Sequence, residues 1–265
     1  MTTVREVVEA VENLVPPDLA EPWDNVGLQI GELAAPVEKA LLSLDVDEAV
    51  VEEARAGGFQ LIIAHHPLFF SELKAVTDET PAGRTALGAI NAGIAVYSAH
   101  TNLDKVAGGL NEALAGLLDL RETTVLDSVA KSGSDGLGRL GRLAEPVGFT
   151  EFIDTCRRRI SREIRVVGEV ETVSTVAVCG GSGAALIGDA QAAGADVFVT
   201  GDIKYHDARR AWECGLTVID AGHDGTERAG RRAWFGRVAA VLPVPVSEAS
   251  TPAPLWRRPS EGGRL

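Results

Sequence analysis

The sequence predicts an α/β protein, built as two similar α/β lobes that face a shared cleft. Three observations lead there. Apolar stretches of strand length alternate with amphipathic helical stretches, which is the pattern of βα units with largely parallel strands. Glycine is plentiful, at 29 of 265 residues, while aromatics make up only 5%, a balance that favours tight βα turns over an aromatic-rich sandwich. The two halves also echo one another. Residues 54–66 (ARAGGFQLIIAHH) resemble 190–202 (AQAAGADVFVTGD), and 92–104 (AGIAVYSAHTNLD) resemble 214–227 (CGLTVIDAGHDGTE) with one extra glycine. Two Gly/Ala-rich βα units can also match by chance, and the sequence alone leaves that reading open.

The elements follow in order. Thr3 and Glu6 form a capping box, and Val4, Val7, Val8, Val11, Leu14 and Val15 then recur at helical spacing until Pro16-Pro17 ends the helix. Residues 21–31 (EPWDNVGLQIG) read as a polar loop with one tryptophan. A buried strand is expected over 40–44, a helix over 48–55 closed by Gly57-Gly58, and strands over 59–64 and 94–98. Residues 106–118 are helical, with Gly108-Gly109 weakening the start. From 121 to 171 the chain is more polar: 132–141 (SGSDGLGRLG) reads as loop with one short strand, and 152–164 as a basic helix. Alternation then resumes, with strands over 173–179, 197–200 and 216–220 and helices over 184–193, 205–213 and 225–238. The expected division is a first lobe over 1–122, a second over 123–245 whose final helix can pack back on the first, and a C-terminal tail over 246–265. The tail, rich in proline, glycine and arginine, reads as mobile or as an arm lying on a neighbour.

Composition excludes several classes. The net charge of −13 repels phosphate backbones and makes nucleic acid an unfavourable partner, the local run Arg157–Arg159 aside. Cys156, Cys179 and Cys214 lie far apart with no CxxC pair, so neither a disulfide framework nor a cysteine zinc site is expected. The N-terminus has no apolar signal core, and no apolar run approaches the roughly 18 residues needed to span a membrane. A reducing cytoplasm is the expected compartment, without membrane contact.

The five histidines carry the chemistry. His65, His66, His100 and His223 follow apolar strands directly or within a few residues, and His206 lies just beyond another. Ligands of open α/β sheets bind outside the carboxyl ends of the strands. Neighbouring strand residues face opposite ways, so His65 and His66 converge only if the chain turns there, as Pro67 favours. His223 and Glu227, like His100 and Asp104, are four apart on predicted helix, which puts each pair on one face. An isolated pair of this kind is more often a helical ion pair. Together, two or three histidines and two carboxylates suit a pair of metal ions, because one carboxylate offers two oxygens. Asp202, Lys204 and His206 stand as candidates for substrate contact or acid–base work, with Asp202 equally able to cap a helix. Gly180–Gly183 (GGSG) could bind a phosphate through its N–H groups, although any tight βα turn favours glycine. Trp23, Asp24 and Asn25 could rim the cleft. Lys204 and Arg209 are candidate anion contacts, Arg209 more simply a solvated charge.

The segments WDNVGLQIG, IIAHHPLFF, SAHTNLD, VAVCGGSG, VTGDIKYH and DAGHDGTE, in this order, resemble the Nif-three-like dinuclear-metal proteins, also called GTP cyclohydrolase 1 type 2 homologues. The resemblance runs over about 1–245. It implies the Nif-three-like fold, with a dinuclear site between the lobes holding two divalent ions per chain, zinc, iron or manganese. It implies metal ligation by His65, His66, Asp104, His223 and Glu227, with Glu227 or Asp104 able to bridge, and His100 and His206 nearby as catalytic or substrate-facing groups. It further implies a toroidal homohexamer built as a trimer of dimers, and hydrolysis of a nucleotide-like substrate by a metal-bound hydroxide. A non-enzymatic metal-binding hexameric scaffold or regulatory adaptor is the alternative.

Overall fold

The computed structural model describes residues 1–127 and 133–250, so most of the expected tail, 251–265, lies outside the described residues. Helix α1 (Val4–Leu14) starts at the Thr3–Glu6 capping box and buries Val4, Val7, Val8 and Val11. The first sheet has strand order β1-β4-β3-β2-β11. Its centre is the parallel set β2 (Ala40–Ser43), β3 (Leu61–Ala64) and β4 (Ala95–Ser98), every residue of which is buried. Such continuous apolar strands are what a sheet covered on both faces requires. Helices α2 (Glu48–Gly57) and α3 (Pro81–Ala92) cover one face, and α1 the other.

The second sheet has order β5-β6-β8-β9-β10-β7. Its parallel centre is β8 (Thr172–Ser182), β9 (Val197–Gly201) and β10 (Thr217–Asp220). Antiparallel β5 (Arg121–Val125) and β6 (Arg139–Gly148) flank it on one side, and β7 (Arg165–Val167) on the other. Helix α6 (Phe149–Arg159) packs on one face of this sheet, while α7 (Ile187–Ala192) and α8 (Tyr205–Glu213) pack on the other. Between the sheets lie α5 (Leu110–Leu117) and the long α9 (His223–Val241). Leu110, Trp234, Phe235 and Val238 enter the core of the first sheet, whereas Leu114 and Ala115 enter that of the second. None of the helices among the described residues is long and apolar enough to cross a membrane.

Several elements differ from the sequence reading. Residues Gly27–Ile30 form β1, antiparallel to β4, rather than loop. The strand is short and only half-buried, so its apolar signal is weak. Strand β6 spans ten residues where only a short strand is expected, because its pairing with β8 supplies what its polar sequence does not. Helix α3 has its signals in the sequence: Thr80 caps it, Pro81 opens it, and Gly93 ends it at φ 66°. The helix expected over 106–118 starts only at Leu110, as α5, and a separate short helix, α4 (Thr101–Lys105), precedes it. Gly108-Gly109 separates them, with Gly108 at φ 69° and Gly109 so close to Leu103 O that a Cβ would stand 2.1 Å away. The tail corrects most plainly. Val246–Glu248 is β11, a parallel edge strand on β2, and Ala249 is buried against the same sheet.

Candidate metal centre

The parallel strands of both sheets aim their carboxyl ends at one place. Strand β2 leads to Asp45, β3 to His65 and His66, β4 to His100, β9 to Asp202, and β10 to His223. The two adjacent histidines share a side because β3 leaves regular geometry. Consecutive amides, His65 N and His66 N, donate to Ser43 O (3.1 Å) and Leu44 O (2.8 Å), whereas in a regular strand successive N–H groups point opposite ways. The imidazole centroids end 4.9 Å apart.

Glu227, buried in the first turns of α9, is the hub. Its Oε1 lies 3.0 Å from His223 Nε2 and 3.5 Å from His65 Nε2, and its Oε2 lies 3.1 Å from His66 Nε2. His66 Nε2 and His223 Nε2 are 3.4 Å apart, and Asp104 Oδ1 is 3.8 Å from His65 Nε2. The donors form two overlapping groups, His65–His66–His100 and His66–His223–Glu227. Despite these short separations, His65 Nε2, Asp104 Oδ1 and Glu227 Oε2 are buried without a hydrogen-bond partner. Each orphan costs about 1–3 kcal/mol, so three in one place ask for a common partner. Ligand atoms about 2.0–2.2 Å from one ion lie about 3–3.5 Å from each other, which fits these spacings.

The far nitrogen of each of the four rings is already engaged. His65 Nδ1 meets Ala99 O (3.0 Å), His66 Nδ1 meets Asp45 (2.7 Å), His100 Nδ1 meets Asp24 (2.8 Å), and His223 Nδ1 meets Asp202 (2.8 Å). Carboxylates and carbonyls behind the rings fix the tautomer that presents Nε2 inward, as metal-ligating histidines require. Asp202 takes this post at φ 56°, a left-handed conformation that aspartate tolerates better than most residues. It caps no helix.

Charge is concentrated here. Burial pushes the Glu227 carboxyl up, but His65, His223 and His66 overcome this and hold it well below the usual carboxylate range. Burial lowers the His66 imidazole, yet Asp45 and Glu227 carry it up to about 10. The hydrogen bond to Glu227 leads in raising His223, burial opposes, and Asp202 adds, giving about 9. For Asp24, burial is outweighed by His100 and Thr101, and the carboxyl falls to about 2. For Asp104, burial dominates and the carboxyl rises. Without metal, protons on His66 and His223 stand in for cations. Their folded values exceed the ordinary histidine value, so this stabilisation is full below about 6.5 and is lost as pH rises through about 9–10. Metal-free protein is therefore expected to lose thermal stability between neutral pH and about pH 10; a melting temperature unchanged across that range would refute this.

The glycine turn has a different purpose from phosphate binding. Gly180 N donates to Asn111 Oδ1 (2.8 Å) and Gly181 N to Thr226 Oγ1 (2.9 Å), so both amides are occupied. Asn111 also donates to Asp104 O (2.9 Å), tying the two lobes together under the centre. Gly181 has φ 64°, and a Cβ there would stand 2.6 Å from Glu227 Oε1 and 3.4 Å from His223 Nε2. Gly181→Ala is expected to displace Glu227 and lower metal content per chain several-fold, while far-UV circular dichroism stays native. Full metal content in this variant would show that the close approach is unimportant.

The structure brings His65, His66, His100, Asp104, His223 and Glu227 together. It does not bring in His206, which is exposed at the start of α8 with its ring against Tyr205. Lys204 is exposed beside it, and Arg209 pairs with Glu213 at 2.7 Å instead of offering an anion contact. The sequence reading passes over Asp45, Asn111 and Thr226. Asp45 could have been found from its place, two residues beyond a buried strand.

Comparison with known proteins bears on the family and the fold. The family model Duf34/NIF3 (NGG1p interacting factor 3) matches residues 2–251. A Streptomyces coelicolor protein named GTP cyclohydrolase 1 type 2 homolog is 38% identical over 234 residues, covering 86% of this chain and 82% of its own length. The Lactococcus lactis protein of the same name is 39% identical over 220 residues, covering 80% and 82%. Among solved structures, a Bacillus cereus protein related to NIF3 superposes with TM-score 0.88 at 27% identity, over 97% of this chain and 99% of that one. Reduced HcgD from Methanocaldococcus jannaschii superposes with TM-score 0.82 at 30% identity, over 94% and 98%.

Proposed function

The chain belongs to the Duf34/NIF3 family, and from that premise we propose that it is a dinuclear-metal-dependent hydrolase acting on a nucleotide or a related small phosphate compound. The observation that carries the proposal is the set of three buried, partnerless atoms, His65 Nε2, Asp104 Oδ1 and Glu227 Oε2, beneath rings whose far nitrogens are tied down. His65, His66, Asp104, His223 and Glu227 are the residues that would hold two divalent ions (zinc, iron or manganese). Bound there, two such ions supply Lewis-acid charge and an activated water for hydrolysis. Asp45 and Asp202 hold the rings of His66 and His223 in place. His100, tied through Nδ1 to Asp24, is the group that moves protons at the substrate side. The name carried by the relatives supports a guanine nucleotide ring as the reacting group.

The first test is metal content of protein purified without chelator or tag metal. About two equivalents per chain are expected, with nucleotide hydrolysis that chelation abolishes and metal restores. Near-zero content after metal is offered back would end the metal reading. Uptake must displace the protons on His66 and His223, so it is expected to release protons and to weaken as pH falls. Uptake indifferent to pH between about 6 and 8 would contradict that.

The same proposal includes a homohexamer. Tyr205 and Trp212, seven apart on α8 and 74% and 69% exposed, support a subunit contact on that face. Light scattering tests the assembly. If the loaded hexamer turns over no nucleotide, the scaffold reading replaces the enzyme.

A further inference from the structure

Beside the metal centre lies a surface that no ligand or proton-transfer role accounts for. Trp23 is 60% exposed and Phe70 is 58% exposed, on two different loops. Their rings stack at 5.9 Å with 30° between planes, and each meets His100 edge-on, at 6.2 and 5.6 Å. The two loops are latched together. Gln29 Oε1 accepts from Leu68 N (2.8 Å) and Phe69 N, its Nε2 donates to Asn25 O (2.8 Å), and Asn25 Nδ2 donates to Phe69 O (2.6 Å). The aromatic pair is thus held in place at one wall of an open cavity of about 560 Å³, whose rim carries Asn25, Ser71 and Glu72.

We infer that Trp23 and Phe70 form a stacking subsite for a planar nitrogen heterocycle, placing its edge at His100 and the metal donors. The inference rests on the proposed function and deepens it by naming what holds the substrate's ring. An exposed, fixed aromatic face takes any planar π-system, and a purine or pteridine presents one. The cavity volume falls within the range of about 300–1,000 Å³ typical of small-ligand sites. The rim also supplies acceptors in Ser71 and Glu72, which suit ring N–H donors.

The test compares guanosine with ribose as probes on the metal-loaded protein by calorimetry, in wild type and in Trp23→Ala, Phe70→Ala and Trp23→Phe. Wild type is expected to bind guanosine at least about tenfold more tightly than ribose, and either alanine variant to lose about tenfold, the scale of one base stacked on an aromatic. Trp23→Phe should keep most of the affinity, and metal content should be unchanged throughout. Equal guanosine affinity in wild type and the alanine variants overturns the subsite, as does a wild type that binds guanosine no better than ribose. A change of oligomeric mass in Trp23→Ala, with guanosine affinity intact, reassigns the pair to a contact between copies. Neither aromatic is a metal donor, so a failed metal reading shows as lost metal content, whereas a failed subsite shows as unchanged guanosine affinity with metal in place.

Discussion

Glu227→Gln is expected to empty the metal centre. Metal content should fall from about two equivalents per chain to well below one, and turnover by at least about 100-fold. The carboxylate sits 2% exposed between His65, His66 and His223, within 3.5 Å of all three Nε2 atoms. Glutamine keeps the shape and removes the charge. It offers one oxygen where two are needed, and it turns an N–H₂ towards rings that must present lone pairs to metal. The fold should survive, because α9 is anchored farther along by Trp234, Phe235 and Val238. Circular dichroism and melting of the variant decide between a lost site and a lost fold. Native metal content and turnover in Glu227→Gln would refute the hub role and with it the proposed centre.

Arg139→Met is expected to destabilise the protein by about 1–3 kcal/mol without touching the site. Arg139 is 1% exposed, at the start of β6. Its guanidinium donates to Gly136 O (2.6 Å) and Gly138 O (2.8 Å) in the second lobe, and more weakly to Val106 O (3.3 Å) and Lys105 O (3.4 Å) in the first. The Glu112 carboxylate at 3.5 Å is a third exposed, so that ion pair counts for little. Methionine fills much of the volume but leaves Gly136 O without its donor, whereas Gly138 O, Lys105 O and Val106 O keep the backbone amides of Leu126, Gly136 and Gly109. Urea unfolding should show a lowered midpoint. A loss below about 1 kcal/mol would mean that Gly136 O finds another partner.

Much of the site was legible in the sequence because its chemistry is written in short local patterns. His65-His66 before Pro67, and His223 four residues ahead of Glu227, announce themselves by spacing. The supporting carboxylates were not. Asp45 and Asp24 come from loops 21 and 76 positions away from the rings they hold, His66 and His100, and nothing local marks an aspartate as the partner of a distant imidazole. His206 shows the converse limit of local pattern. Its position after a strand looks like the others, but α8 turns it to solvent.

The sequence by itself determined the α/β class, the parallel central strands, most helix starts and stops, and the histidines and carboxylates that meet. Apolar periodicity, capping residues and glycine stops act over a few residues, so one strand of text carries them. Only the tertiary structure decided that β11 closes the first sheet, that polar β6 is a full strand, that α5 and α9 lie between the sheets, and that Gly181 makes room for Glu227. Each of these depends on what a segment packs against. Edge pairing, burial on two faces and a close backbone approach are properties of the partner as much as of the residue, and the partner lies far away in the chain.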